Sequence, residues 1–199
     1  MSNFDNLARA WDKEAIHMER SSAIASALET MVLPNPSMKA MEFGAGTGIL
    51  SFLLKDRLKE ITLIDSSSEM IKICEEKIAF YGTSHIEAIL MDLEHAETDK
   101  TYDLIYSQMV LHHVIDVETM LKKFFTLLNP GGTMAIADLY PEDGSFHGQD
   151  VEVHWGFDPE ELKESLINNG FKKIEYKKCF EMKRESDKIY PIFLLVARK

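Results

Sequence analysis

Between Lys39 and Asp138, short apolar runs alternate with stretches whose apolar residues recur at helical spacing. Ala40-Met41-Glu42-Phe43 reads as a strand, and Ile49 to Leu58, apolar at positions 49, 50, 52, 53 and 54, as a helix. Ile61 to Asp65 is a second strand, Ser68 to Phe80 a helix and Ile86 to Met91 a third strand. After a polar connection come a strand at Tyr102 to Tyr106, a helix at Val117 to Leu128 and a strand at Thr133 to Ala137. Strict alternation of strand and helix implies parallel strands with right-handed crossovers, hence an α/β fold in which an open sheet carries helices on both faces.

The flanks break this rhythm. Asp158-Pro159-Glu160-Glu161 offers a capping side chain, a proline at the first helical position and a glutamate three residues after the cap, and Asn169-Gly170 supplies a stop. A helix from Pro159 to Asn169 follows. Lys172 to Phe180 and Ile189 to Ala197 read as strands separated by the polar stretch Lys183 to Lys188, a spacing that suits an antiparallel pair. Residues 1 to 33 read as helical, with Leu7, Ala10, Trp11, Ile16, Ile24 and Leu28 available for an apolar stripe that ends at Pro34-Asn35-Pro36. Tyr140 to Gly156 is polar, aromatic and acidic, and directly follows a sheet strand.

A chain of 199 residues suffices for one domain with its own core. With 22 Lys+Arg against 33 Asp+Glu the net charge is −11, which argues against general affinity for nucleic acid or anionic membrane. Only the end of the chain is basic, with nine Lys/Arg and four Asp/Glu from Phe171 onward, and it reads as a solvated strand face. Cys74 and Cys179 are too few for a thiolate metal cage or a disulfide framework, so a reducing, cytoplasmic setting is expected. The stretch from Met1 to Met31 has neither an export pattern nor an apolar run long enough to insert in a membrane.

Glu42-Phe43-Gly44-Ala45-Gly46-Thr47-Gly48 lies between a predicted strand and a predicted helix, where backbone must pass close to a ligand. Its spacing is Gly-x-Gly-x-Gly, and Ile49 stands where a dinucleotide fingerprint has its third glycine. Asp65 ends the second strand about 20 residues on, where a carboxylate accepts from both hydroxyls of a ribose. Capping of the helix that begins near Ser67 is the structural alternative for Asp65.

Taken in order, these motifs resemble those of the class I S-adenosylmethionine-dependent methyltransferases, in particular the small-molecule group that includes the quinone-biosynthesis enzymes. Ile64-Asp65-Ser66-Ser67-Ser68-Glu69-Met70, Leu90-Met91-Asp92-Leu93, Tyr102 to Ser107 followed by Leu111-His112-His113, and Leu128-Asn129-Pro130-Gly131-Gly132 carry the resemblance along nearly the whole chain. It implies a Rossmann-like three-layer sandwich with a seven-stranded, mostly parallel sheet whose last strand is antiparallel. It also implies S-adenosyl-L-methionine as cofactor and S-adenosyl-L-homocysteine as product. By the same resemblance Glu42, Gly44 and Gly46 meet the methionine moiety, Asp65 the ribose, Met70 packs on the adenine, Asp92 accepts from the adenine amine, and Ser107 lies where backbone meets the cofactor's amino group. Phe43, Ala45, Ser66 and Leu93 travel with these motifs, and Trp11 of Ala10-Trp11-Asp12 either folds over the cofactor or anchors its helix to the core. A single domain then divides into an N-terminal helical cap (1–36), a cofactor-binding core (37–138), an acceptor-side insert (139–157) and a C-terminal helix and strand pair (158–199).

A methylsulfonium is already activated, so orientation carries most of the expected catalysis, and a base is needed only for a protonated acceptor. His113, His147 and His154 are the candidate bases, with His112 behind them. His147, Asp150 and His154 have ligand-like spacing but no further ligands near them in sequence, so no metal is expected. Ser107-Gln108-Met109-Val110 lacks the Pro-Pro-Tyr signatures of nucleic-acid amino-methylating enzymes, and there is no Pro-Cys nucleophile. A small-molecule acceptor handled by a monomer or homodimer is the expectation, and Glu142, Asp143, Asp150 and Glu152 would suit a cationic amine. A non-catalytic cofactor-binding regulator and a nicotinamide-dependent oxidoreductase remain as alternatives.

Overall fold

The computed structural model describes residues 8–147, 152–183 and 187–199. Leu7 of the N-terminal stripe and Asp150 of the acidic stretch lie outside the described residues. Seven strands, β1 (Lys39–Phe43), β2 (Glu60–Asp65), β3 (Ile86–Leu90), β4 (Tyr102–Gln108), β5 (Leu128–Leu139), β6 (Lys172–Lys183) and β7 (Ile189–Arg198), form one sheet in the order β3-β2-β1-β4-β5-β7-β6. The first five run parallel, and β7 is antiparallel to both β5 and β6. This is the Rossmann-like sheet of the class I methyltransferase fold.

Side-chain alternation explains why both faces are covered. Ala40, Leu63, Leu104, Tyr106, Ala135 and Leu194 belong to one core, while Met41, Ile64, Ile105, Met134, Ile136 and Phe193, one residue out of phase, belong to the other. Helices α2 (Ala15–Met31), α3 (Ile49–Leu54) and α4 (Ser68–Tyr81) supply Ile24, Leu28, Leu50, Leu54 and Cys74 to the first core. Helices α5 (Val117–Leu127) and α6 (Pro159–Asn168) supply Leu121, Phe124, Leu162 and Leu166 to the second. Asp158 caps α6 by accepting from the Glu160 N–H, behind Pro159 at its first turn.

Three boundaries and one buried position differ from the sequence expectation. The N-terminal helical stretch is broken at residues 12–14 into α1 (Ala8–Trp11) and α2, because Asp12 is drawn sideways into contacts across the glycine loop. Within α1 it is Ala8 that is buried and Ala10 that faces solvent. The helix expected to reach Leu58 tightens after Leu54 into a 3-10 turn, Lys55–Arg57, as helix ends commonly do. The fifth strand extends well beyond Thr133–Ala137, since it pairs with β4 back to Leu128 and with β7 out to Leu139. Among the described residues no helix is long and apolar enough to cross a membrane.

Candidate functional site

From β1 the chain moves outward through β2 and β3, then returns to β4 on the other side of β1. That reversal opens a crevice beyond the carboxyl ends of β1 and β4, the usual ligand site of an open α/β sheet. A solvent-open cleft occupies this position, floored by Phe43, Gly44, Ala45 and Gly46 and walled by Asp65, Ser66, Met70, Asp92 and Leu93. Trp11, His17 and Arg20 close it from the N-terminal side, and Phe146, His147 and Met182 from the far end.

The glycine loop and β2 are joined through one carboxylate. Asp65 accepts from the Gly46 N–H at 2.7 Å with Oδ2 and from the Ser67 N–H at 2.8 Å with Oδ1. It therefore positions both the loop and the start of α4, whose cap is the Ser67 hydroxyl accepting from the Met70 N–H. Gly44, at φ +63°, has no room for a side chain, because a Cβ would stand 2.5 Å from both γ carbons of Val110. Gly46, at φ +55°, faces open space instead. Cys74 donates its thiol to the Gly46 carbonyl at 3.1 Å, and burial pushes that thiol up, so it serves the loop as a neutral group. At the end of β4, Met109 takes φ +56°, a left-handed conformation that side chains disfavour and that clusters at ligand sites.

The N-terminal segment is tied across this loop. Thr47 Oγ1 donates to Asp12 Oδ1 at 2.5 Å, Lys77 pairs with the same carboxylate, and Lys77 Nζ donates to the Thr47 carbonyl at 2.8 Å. Trp11, one residue earlier, stacks on His17 with ring centroids 4.0 Å apart and lines the cleft.

Glu42 and Ser107 stand behind the cleft wall rather than on it. Ser51 Oγ donates to Glu42 Oε2 at 2.5 Å and lies 2.5 Å from the Tyr106 hydroxyl, in a fully buried chain. Burial pushes the Glu42 carboxyl up to about 8. The unfolded chain releases this proton above about 4.5 and the native one only near 8, so in that window the native state holds more protons and stability falls as pH rises. Urea unfolding of Glu42→Gln should therefore gain on the native sequence by about 1.4 kcal/mol per pH unit between those limits. Parallel stability curves would contradict the buried, protonated acid.

Three histidines meet at the far end of the cleft. His112 and His113 come from a 3-10 turn, Leu111–His113, that follows β4, and His147 from the segment after β5. His147 Nε2 lies 2.9 Å from His112 Nε2, and the His113 ring is 4.3 Å from that of His112 and 4.9 Å from that of His147 between centroids. Burial and the two neighbouring imidazoles hold His113 down at about 3, so it is a neutral ring at neutral pH. Behind them Asp138, completely buried at the end of β5, accepts from His112 Nδ1 at 2.6 Å and from the Leu139 N–H at 2.7 Å.

His154 does not join this group. It is exposed, its N–H donates to the His112 carbonyl at 2.8 Å and its ring Nε2–H donates to the Val114 carbonyl at 3.0 Å. Of the acidic residues expected to receive a cation, Glu142 accepts from the Phe146 N–H, Asp143 binds Ser145 and Lys188, Glu152 is exposed, and Asp150 lies outside the described residues. Asp138 was missed in the sequence, although its position at the carboxyl end of a sheet strand is the same signal that singled out Asp65.

Residues 34–195 match the family described as "Methyltransferase domain". The malonyl-[acyl-carrier protein] O-methyltransferase of Priestia megaterium is 27% identical over 169 residues, covering 83% of this chain and 58% of the relative. The ubiquinone/menaquinone biosynthesis C-methyltransferase of Shewanella sediminis is 26% identical over 174 residues, covering 71% and 69%. The first of these relatives illustrates a general point, that the chain spans about half the length of the leading curated proteins it matches. Among solved structures, the N-methyltransferase NodS from Bradyrhizobium japonicum WM9 in complex with S-adenosyl-l-homocysteine shares the fold, with a TM-score of 0.73 at 18% identity over 100% of this chain and 99% of that one.

Proposed function

The chain belongs to the class I S-adenosylmethionine-dependent methyltransferases, and from that premise we propose that its cleft binds S-adenosylmethionine and transfers the methyl group to an anionic small molecule. The single observation that carries the cofactor reading is the joint of Gly46 and Asp65. The open space at the Gly46 Cβ position lets a ligand lie against the backbone, and the Asp65 carboxylate borders the same cleft at the end of β2, where an acceptor for ribose hydroxyls is needed. Met70 and Leu93 offer an apolar slot for the adenine, with Asp92 at its exposed edge.

When bound, S-adenosylmethionine supplies a sulfonium methyl group and leaves as a neutral thioether. The protein's part is to hold the acceptor in line and keep water out, and orientation of this kind contributes roughly 7–11 kcal/mol. Trp11 covers the cleft, held there by the Asp12, Thr47 and Lys77 contacts. Removing that latch in Asp12→Ala should speed dissociation of S-adenosylhomocysteine about fivefold, since changes at a bound surface act mainly on the off-rate. An unchanged rate in stopped-flow dissociation would show that α1 does not retain the ligand.

The acceptor side, built with the 139–157 insert, is marked by Arg20, which is buried and lines the cleft beside Gln108, itself held by the Ser21 hydroxyl at 3.0 Å. A buried guanidinium favours a carboxylate or another anionic oxygen over an amine. Measuring S-adenosylhomocysteine formation over a panel of carboxylates, phenols and amines tests this. The proposal expects turnover of anionic acceptors, with the KM of Arg20→Ala raised at least about tenfold and cofactor affinity retained. Turnover of amines alone overturns the anionic assignment, and cofactor binding with no turnover in the panel favours a binding protein without transferase activity.

A further inference from the structure

We propose that His112, His113 and His147 bind a divalent transition metal ion of the zinc type, with Asp138 as the outer carboxylate that orients the first of them. Each imidazole offers one nitrogen, and the three ligand atoms all lie within 4.8 Å of one another. All three side chains line the cleft. This set differs from the grouping that sequence spacing offers, His147 with Asp150 and His154: among the described residues the fold joins His147 to His112 and His113 and leaves His154 bonded to backbone, while Asp150 lies outside them.

The spacing of His112 and His147 is close to what an ion requires, and His113 must draw in toward them. Two nitrogens bound to one tetrahedral ion at 2.0–2.1 Å stand about 3.4 Å apart. His112 Nε2 and His147 Nε2 are separated by 2.9 Å, so insertion of an ion in place of their shared proton needs them to part by about half an ångström. His147 lies in the connection between β5 and α6 rather than within a strand.

The strongest support lies one layer out. Asp138 accepts from His112 Nδ1 at 2.6 Å, which places the ring's proton on Nδ1 and leaves the Nε2 lone pair directed at His147. A carboxylate behind a ligating imidazole is the recurring second layer of protein metal sites, where it fixes the tautomer and raises ligand basicity. The carboxylate is itself fixed, since it also accepts from the Leu139 N–H at 2.7 Å and the His112 N–H at 3.3 Å. Imidazole ligands select zinc, cobalt, nickel or copper over magnesium and calcium, which prefer oxygen. Three protein ligands leave the fourth position of a tetrahedral ion open to the cleft, for water or an anionic oxygen. Use of that position by an acceptor rests on the transferase reading above, whereas binding of the ion does not.

The test is calorimetric titration of zinc into the chelator-stripped full chain, followed by the visible spectrum of the cobalt(II) form. We expect one equivalent of zinc and the intense absorption of tetrahedral cobalt. His147→Gln should weaken binding at least about tenfold, and Asp138→Asn by about 10–100-fold. His95→Ala, at the exposed Asp92–His95 pair, should leave it unchanged. Because Asp138 is buried, thermal unfolding of each metal-free variant is measured alongside, and the partly buried His147 and His113 provide variants outside the innermost core. Zinc heats equal in the native chain and in His113→Ala/His147→Ala, whether both large or both absent, overturn the proposal and leave the cluster as a hydrogen-bonded group.

Discussion

Asp65→Ala is expected to lower affinity for S-adenosylhomocysteine at least about 100-fold, because it removes the charge-assisted bonds that the carboxylate would accept from the ribose hydroxyls, worth roughly 1.5–3 kcal/mol each. The bonds from the Gly46 and Ser67 N–H groups, which join the glycine loop to the start of α4, are lost as well and loosen both walls of the cleft. Asp65→Asn keeps one acceptor oxygen and should fall between the two. Titration calorimetry reads the difference, and an alanine variant within about threefold of the native affinity would reduce Asp65 to a helix cap.

Gly44→Ala is expected to destabilise the fold by about 3 kcal/mol, combining a left-handed φ that costs about 1–2 kcal/mol with overpacking that costs about 1–3 kcal/mol. The added methyl would meet both γ carbons of Val110 at 2.5 Å. For a domain of this size the melting temperature should drop by about 6–12 °C. Gly46→Ala shares the positive φ but has open space, so it should lose only about a third as much stability while still obstructing ligand approach. Adding Val110→Ala to Gly44→Ala should recover the packing part of the loss and none of the conformational part. Equal melting temperatures for the two glycine variants would mean that Val110 yields without cost.

What could be read from the sequence was local. Alternating apolar residues assign β1, β2, β4 and β7 to a two-faced sheet, and three glycines at left-handed positions mark the loop after β1. Asp65 was visible because the end of a strand lies next to the loop it serves. The contacts that escaped notice span long separations. Asp138 meets His112 from 26 positions away, His147 reaches His112 across 35, and Asp12 reaches Thr47 across 35. Nothing in periodicity or composition encodes those distances, since they follow from β5 lying beside β4 and from α1 crossing the first glycine loop. Charge in sequence likewise says nothing of direction: Glu142 accepts from the Phe146 N–H and Asp143 binds Ser145 and Lys188, while Arg20 reaches the cleft from α2. Glu42 stands one layer behind the cleft because it alternates with Met41 and Phe43 into the opposite core, where Ser51 and Tyr106 await it.

Thermal denaturation of the purified chain with S-adenosylmethionine, S-adenosylhomocysteine or NAD tests the cofactor assignment most directly. A ligand at 100 times its dissociation constant stabilises by about 2.7 kcal/mol, which for a domain of this size raises the melting temperature by about 5–11 °C. The account predicts that rise with both sulfur ligands, its loss in Asp65→Ala, and no rise with NAD. A shift with NAD alone, or none with either sulfur ligand, would contradict it.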